Sequence, residues 1–217
     1  MLKTIYNKYE KSLISSLPVA QFQGRIIVVL TPGETEKAVR FLLTQSILGF
    51  DTETRPSFKK GNQHKVSLLQ VSTPHICFLF RLNHTGLTNS LIQLLEDNNV
   101  LKIGLSWHDD VNSLQKLRKF NAGTFIEIQD LVRDIGIEDM SLQKLYANLF
   151  GQKISKRQQL SNWEADVLLD KQKAYAATDA WACIQIYNEI IRLKETGDYN
   201  LIIKEEDKDE ASISEKR

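Results

Sequence analysis

Short apolar runs alternate with amphipathic stretches along this chain, and that alternation predicts its elements. Residues 26–30 form a run rich in Ile and Val and read as a strand. Thr31-Pro32-Gly33-Glu34 is a helix-start signal, with Thr31 as N-cap, Pro32 in the first position and an acid in the first turn. That helix is expected to run to about residue 45. Strands follow at 47–54, 66–72 and 76–82, the last two separated by the turn residues Thr73-Pro74. Three consecutive strands with short connections predict an antiparallel meander. The period then changes. Residues 87–97 read as helix, 100–105 as strand, 110–120 as helix and 125–129 as strand, the rhythm of parallel crossovers. Ser141 caps a helix to about Phe150, and a last helix runs over 171–195 and stops near Gly197. The predicted fold is α/β, a mixed five- to six-stranded sheet flanked by helices. The domain is expected to span 25–197, preceded by a helical then irregular extension at 1–24 and followed by a charged, disordered tail at 198–217.

Composition changes this picture little. The 217 residues are 42% apolar and 25% charged, ordinary for a globular domain. No apolar run approaches the roughly 20 residues that span a bilayer. The charged N-terminus is not a secretory signal, so the expected address is the cytoplasm, with no membrane partner. The two cysteines, Cys77 and Cys183, stand far apart in apolar surroundings and lack zinc spacing. The net charge of +1 gives no global nucleic-acid footprint. Basic residues do cluster locally, at Lys59, Lys60, His64 and Lys65, at Lys116, Arg118 and Lys119, and at Lys153, Lys156 and Arg157. Each cluster alone reads as a solvated face. A protein carrying its own divalent ions needs less charge of its own to hold a phosphate.

Three acidic sites carry candidate chemistry. In the strand Gly49-Phe50-Asp51-Thr52-Glu53-Thr54, side chains alternate, so Asp51 and Glu53 share a face and Phe50 and Thr52 take the other. Two adjacent acids on an apolar strand repel unless something positive lies between them, either a divalent cation or a basic side chain such as Arg55. In the second site, SWHDDVNSL at 106–114, Asp110 shares its helical face with Leu114 and Leu117 and points inward. Asp109 faces solvent and caps or favours the helix start. In the third, Tyr175-Ala176-Ala177-Thr178-Asp179, Tyr175 and Asp179 are i and i+4 on one face. Asp179 lies on the stripe of Cys183, Ile186 and Ile190, where an acid needs a partner, and the alanines let the helix approach the sheet. Together these predict four inward acids and a tyrosine at the heart of one sheet. Oxygen ligands of this kind favour Mg²⁺ or Mn²⁺, and converging acids suit two cations about 4 Å apart.

In their order, FDTET, SWHDDVNSL and YAATD resemble the three motifs of the DEDDy branch of 3′→5′ exonucleases, the group of ribonuclease D and the Werner syndrome helicase exonuclease domain. The segment KRQQLSNW at 156–163 is similar to the latter in particular. The resemblance covers residues 25–195 and implies a ribonuclease H-like fold. It makes Asp51, Glu53, Asp110 and Asp179 the ligands of two divalent cations and gives Tyr175 the role of orienting the attacking water. The sibling branch has a histidine five positions before the last aspartate; here that position is Ala174. The implied reaction removes 5′-mononucleotides from a single-stranded 3′ end of DNA or RNA. Thr52, Lys156, Arg157 and Trp163 are candidate substrate contacts, Trp163 either stacking on a base or anchoring a helix start. The loop 59–62 is a candidate substrate lip. Two other functions compete: a catalytically silent nucleic-acid-binding module on the same fold, and a hydrolase of short oligonucleotides or other phosphate esters. The chain ends soon after the third motif and is expected to work as a stand-alone domain of low processivity.

Overall fold

The computed structural model describes residues 2–57 and 63–204. In chain order the elements are β1 (Lys3–Tyr6), α1 (Lys11–Ile14), β2 (Arg25–Val29), α2 (Pro32–Leu42), β3 (Ile47–Thr54), β4 (Val66–Ser72), β5 (Ile76–Arg81), α3 (Leu82–Thr85), α4 (Asn89–Glu96), β6 (Leu101–Gly104), α5 (Trp107–Gln115), β7 (Phe125–Glu127), α6 (Ile128–Arg133), α7 (Leu142–Phe150), α8 (Asp170–Thr196) and β8 (Tyr199–Ile202). Six strands form one sheet in the order β2-β5-β4-β3-β6-β7. The meander β3-β4-β5 is antiparallel, whereas β6 and β7 add in parallel beyond β3 and β2 adds in parallel beyond β5. β3 therefore has an antiparallel neighbour on one side and a parallel one on the other.

Strand alternation sorts two cores onto the two faces. Phe50 on β3, Leu69 and Val71 on β4, and Phe78 and Phe80 on β5 pack with α2, α4 and α5. Leu68, Cys77 and Leu79 face the first half of α8, and Ile103 meets α6, α7 and the second half of α8. Local signals set the helix ends. Thr31 and Glu34 form a reciprocal capping box on α2, the Ser141 hydroxyl accepts from the Lys144 amide on α7, and α8 ends at Gly197 with φ 68°. Among the described residues, no helix is long and apolar enough to cross a membrane.

Three features depart from the sequence expectation. Residues 3–6 form a strand rather than a helix, and 199–202 form a strand where a disordered tail was expected; the two pair in parallel as a separate ribbon. Ile5 is fully buried there, and Leu201 lies over Gly136, which has φ 84° and no side chain to obstruct it. Each strand has only four residues, too few for a period to be read, and its partner lies at the opposite end of the chain. The third feature is α6, which starts directly where β7 stops. The remainder of the expected tail, 205–217, lies outside the described residues.

β3 and α8 approach each other very closely. Ala176, Ala177 and Ala180 are fully buried on the helix, and a Cβ built on Gly49 would stand 1.8 Å from the Ala180 carbonyl oxygen. Only a glycine in the strand and alanines on the helix allow these backbones to meet. We predict that Gly49→Ala destabilises the protein by at least about 3 kcal/mol, read by urea denaturation, because the backbones must separate. Wild-type stability in that variant would contradict the packing described.

Candidate active site

β3 and α8 bring three of the acids together. One carboxylate oxygen from each of Asp51, Glu53 and Asp179 lies within 4.8 Å of the others. Asp51 and Glu53 point from β3 toward α8, as strand alternation requires, and Asp179 is carried in by the Gly49–Ala180 contact. Asp179 is only 6% exposed, and its Oδ1 is buried without a hydrogen-bond partner. A buried acceptor with no donor is costly and is relieved by a cation. The donor set is all oxygen, which fits a hard divalent ion.

Asp110 arrives differently. It sits on α5, on the opposite face of the sheet, and stands outside the group of three. Its Oδ1 accepts a hydrogen bond from the Thr52 hydroxyl at 2.5 Å. Three acids thus meet on the α8 face and the fourth reaches the strand end from the α5 face. The residue between the paired acids, Thr52, connects the two sides. Asp109 is exposed, as its helical position predicts.

Asp110 owes its position to a side chain that the motif reading did not single out. Ser106, at the start of α5, has φ 59° and makes no capping bond with its own side chain. Glu127 at the end of β7 supplies the cap instead, accepting from the amides of Ser106 at 2.9 Å and Trp107 at 3.1 Å. Gln129 adds a bond to the Ser106 hydroxyl and another to the Met140 carbonyl. Gln70 was missed as well. It pairs across the strands with Asp51, and both its side-chain polar atoms are buried without partners. The signal for it was a lone amide in the apolar run VSLLQVS.

The electrostatics follow from this crowding. All four carboxyls are held above their ordinary range, first by burial. The charge of Asp179 adds to the effect on Asp51, and Asp51 adds to those on Glu53 and Asp110. Glu53 is pushed up to about 10 and Asp179 to about 7, the latter restrained by the Tyr175 hydroxyl and the Lys156 charge. Burial and the neighbouring acids also raise Tyr175, which stays protonated at neutral pH.

The remaining predicted residues divide. Lys156 and Thr52 line the same cleft as Asp51, Glu53, Tyr175 and Asp179, a hollow of about 370 Å³. Arg157 is not in that cleft; it lines an adjoining hollow behind Tyr175, with Lys171 and Gln158. Trp163 is 0% exposed, so base stacking is excluded and the core alternative holds. Its ring lies 6.0 Å from that of Tyr175 and supports it from behind. The buried Arg81 fastens the same segment by donating to the carbonyls of Ala165 and Asp166. The loop 59–62 lies outside the described residues.

A mixed sheet whose central strand and long packed helix hold a carboxylate cluster defines a ribonuclease H-like domain. The sequence profile of the 3′-5′ exonuclease family matches residues 26–193, and the chain belongs to that family of nucleases. It is 27% identical over 209 residues to the Mus musculus bifunctional 3′-5′ exonuclease/ATP-dependent helicase WRN, covering 91% of this chain and 15% of that one. It is 30% identical over 188 residues to an Arabidopsis thaliana 3′-5′ exonuclease, covering 79% and 65%. The chain thus spans only part of the length of these relatives. Among solved structures, the Aedes aegypti Nibbler EXO domain superposes with a TM-score of 0.75 at 21% identity, over 84% of this chain and 95% of that one. Escherichia coli RNase D superposes with 0.69 at 18% identity, over 80% and 45%. Family and acidic cluster together point to divalent-cation binding.

The raised carboxyls make a stability prediction. A carboxyl whose folded pKa exceeds its unfolded value near 4 leaves the native state holding more protons, so stability falls as pH rises between those values. In EDTA the melting temperature should fall from pH 5 to pH 7.5, and Mn²⁺ should raise it more at pH 7.5 than at pH 5. Asp179→Asn should raise the pH 7.5 value in EDTA by about 2–4 °C, the equivalent of about 1 kcal/mol for a chain of this size, and should remove most of the Mn²⁺ increment. Thermal-shift measurements check this; a pH-independent value, or a lower one in the variant, counts against the charge balance described.

Proposed function

We propose that this protein hydrolyses nucleic acid from a 3′ end and releases 5′-mononucleotides. The observation that carries the proposal is the cluster of Asp51, Glu53 and Asp179, with an unpartnered buried oxygen on Asp179, facing Tyr175 in one cleft. Asp51, Glu53, Asp110 and Asp179 would hold two divalent cations, Mg²⁺ or Mn²⁺, which supply Lewis-acid activation of the attacking water and neutralise charge on the departing 3′-oxygen.

The protein's own groups do the rest. Tyr175 keeps its proton at neutral pH and therefore acts as a hydrogen-bond partner that orients the nucleophile, not as a base. Trp163 fixes the ring from behind, which holds the hydroxyl in the cleft. Lys156, exposed at the rim, offers its ammonium to a substrate phosphate and offsets part of the acidic charge. Thr52 holds Asp110 in register with the strand acids. A single-stranded 3′ terminus is the substrate form proposed, because a lone strand end is what the cleft around Tyr175 and the acids has to admit. The structure of Trypanosoma brucei RNase D with RNA U12 shows RNA held by a protein of the same fold; DNA and RNA both belong in the test.

The experiment uses 5′-labelled single-stranded DNA, single-stranded RNA and 3′-recessed duplex in Mg²⁺, Mn²⁺ or EDTA. The expected outcome is a ladder that shortens from the 3′ end, requires metal and is absent in Asp51→Ala. Tyr175→Phe is expected to lower kcat roughly 10- to 100-fold while keeping the Mn²⁺-dependent thermal shift. If no substrate is shortened in either metal, the proposal fails.

A further inference from the structure

Basic residues far apart in sequence meet in space. Arg55 follows β3, His64 and Lys65 precede β4, and Ser113 and Lys116 lie at the end of α5. With Thr54 they line a hollow of about 600 Å³. The hollow lies near the acidic cleft in the chain's own geometry: Thr54 follows Glu53 on the strand, and Ser113 lies one turn beyond Asp110 on the helix. Glu164 is the carboxylate that faces it, contacting Arg55 at 3.2 Å and His64 at 3.0 Å. Among the described residues no carboxylate pairs with Lys65 or Lys116, and both side chains are exposed.

On a convex surface such lysines are merely solvated. Here they sit on concave walls, where charges of one sign reinforce each other and concentrate anions. The adjoining carboxylates repel phosphate, and a net charge of +1 gives no general attraction. Beyond what the cations and Lys156 hold at the cleft, affinity for a polyanion must therefore come from a local site. An enzyme that removes one nucleotide at a time leaves a single nucleotide beyond the scissile bond and every other phosphate on its 5′ side.

We infer that this hollow binds the backbone phosphates of the strand on the 5′ side of the scissile bond, with Lys65 and Lys116 as the principal contacts. The inference rests on the nucleic-acid reading of the acidic cleft. Lys116 is six residues beyond Asp110, about 9 Å along the helix. At about 3.4 Å per stacked nucleotide, its contact is two to three nucleotides upstream. A dinucleotide is too short to use it and a decanucleotide is not.

The test compares wild type, the double variant Lys65→Gln/Lys116→Gln, and Lys119→Gln as an exposed control on the same stretch outside the hollow. Turnover of 5′-labelled strands of two, four and ten nucleotides is measured in Mn²⁺ across a salt series. Binding of a labelled decanucleotide is measured by anisotropy in EDTA. In the double variant, the ratio of kcat/KM for the decanucleotide to that for the dinucleotide should fall about tenfold. The slope of log affinity against log salt should become shallower by about 1.4, two single-strand phosphate contacts. Lys119→Gln should retain the wild-type ratio. If wild type cuts but the ratio and slope are unchanged in the double variant, the hollow is not the strand path and the exonuclease reading stands. If wild type cuts nothing, the exonuclease reading fails. Anisotropy then decides the hollow alone, and equal binding by wild type and double variant overturns it.

Discussion

The contact between Gly49 and Ala180 governs the rest of this structure. A strand and a helix normally stand apart by the length of their side chains. Here the strand has none at the crossing and the helix presents alanines, so the two backbones touch. The consequence is chemical. Asp51 and Glu53, two and four residues beyond Gly49, point at the helix, and Asp179, one residue before Ala180, points back.

That proximity is unfavourable by itself. Burial opposes ionisation of every acid in the cleft, repulsion adds to it at Asp51 and Glu53, and one Asp179 oxygen has no donor. The fold tolerates this because apolar packing surrounds it on both faces of the sheet and several polar clasps hold the pieces in place. Thr52 secures Asp110, Glu127 caps the helix that carries it, Arg81 fastens the segment containing Trp163, and Trp163 backs Tyr175. None of these side chains has to touch substrate. Each limits a degree of freedom that would let the acids relax apart.

Much of this was legible in the residues. Alternation along FDTET placed Asp51 and Glu53 on one face, and the i, i+4 spacing of Tyr175 and Asp179 placed them together. The six strands of the main sheet, the capping signal at Thr31 and the stop at Gly197 all follow local rules. The errors have a common cause. The β1–β8 ribbon joins the two ends of the chain, and four-residue strands carry no readable period. Trp163 left two readings open, a base stack or a core anchor, and burial of its segment, fastened by Arg81, gives the second. Glu127 acts through amides distant in sequence, and Gln70 faces Asp51 only across the strand pair, so no motif contains either.

The sequence by itself determined the chemistry available: which acids exist, which face of its own element each occupies, and the order that marks the exonuclease family. It did so because alternation and helical periodicity are properties of neighbouring residues. The tertiary structure alone decided which of those faces meet. It put three acids on one side of β3 and the fourth on the other, buried Trp163, and joined Lys65 to Lys116 across fifty residues of chain. Those outcomes depend on how closely packed surfaces can approach, and approach is set jointly by side chains that the chain order keeps apart.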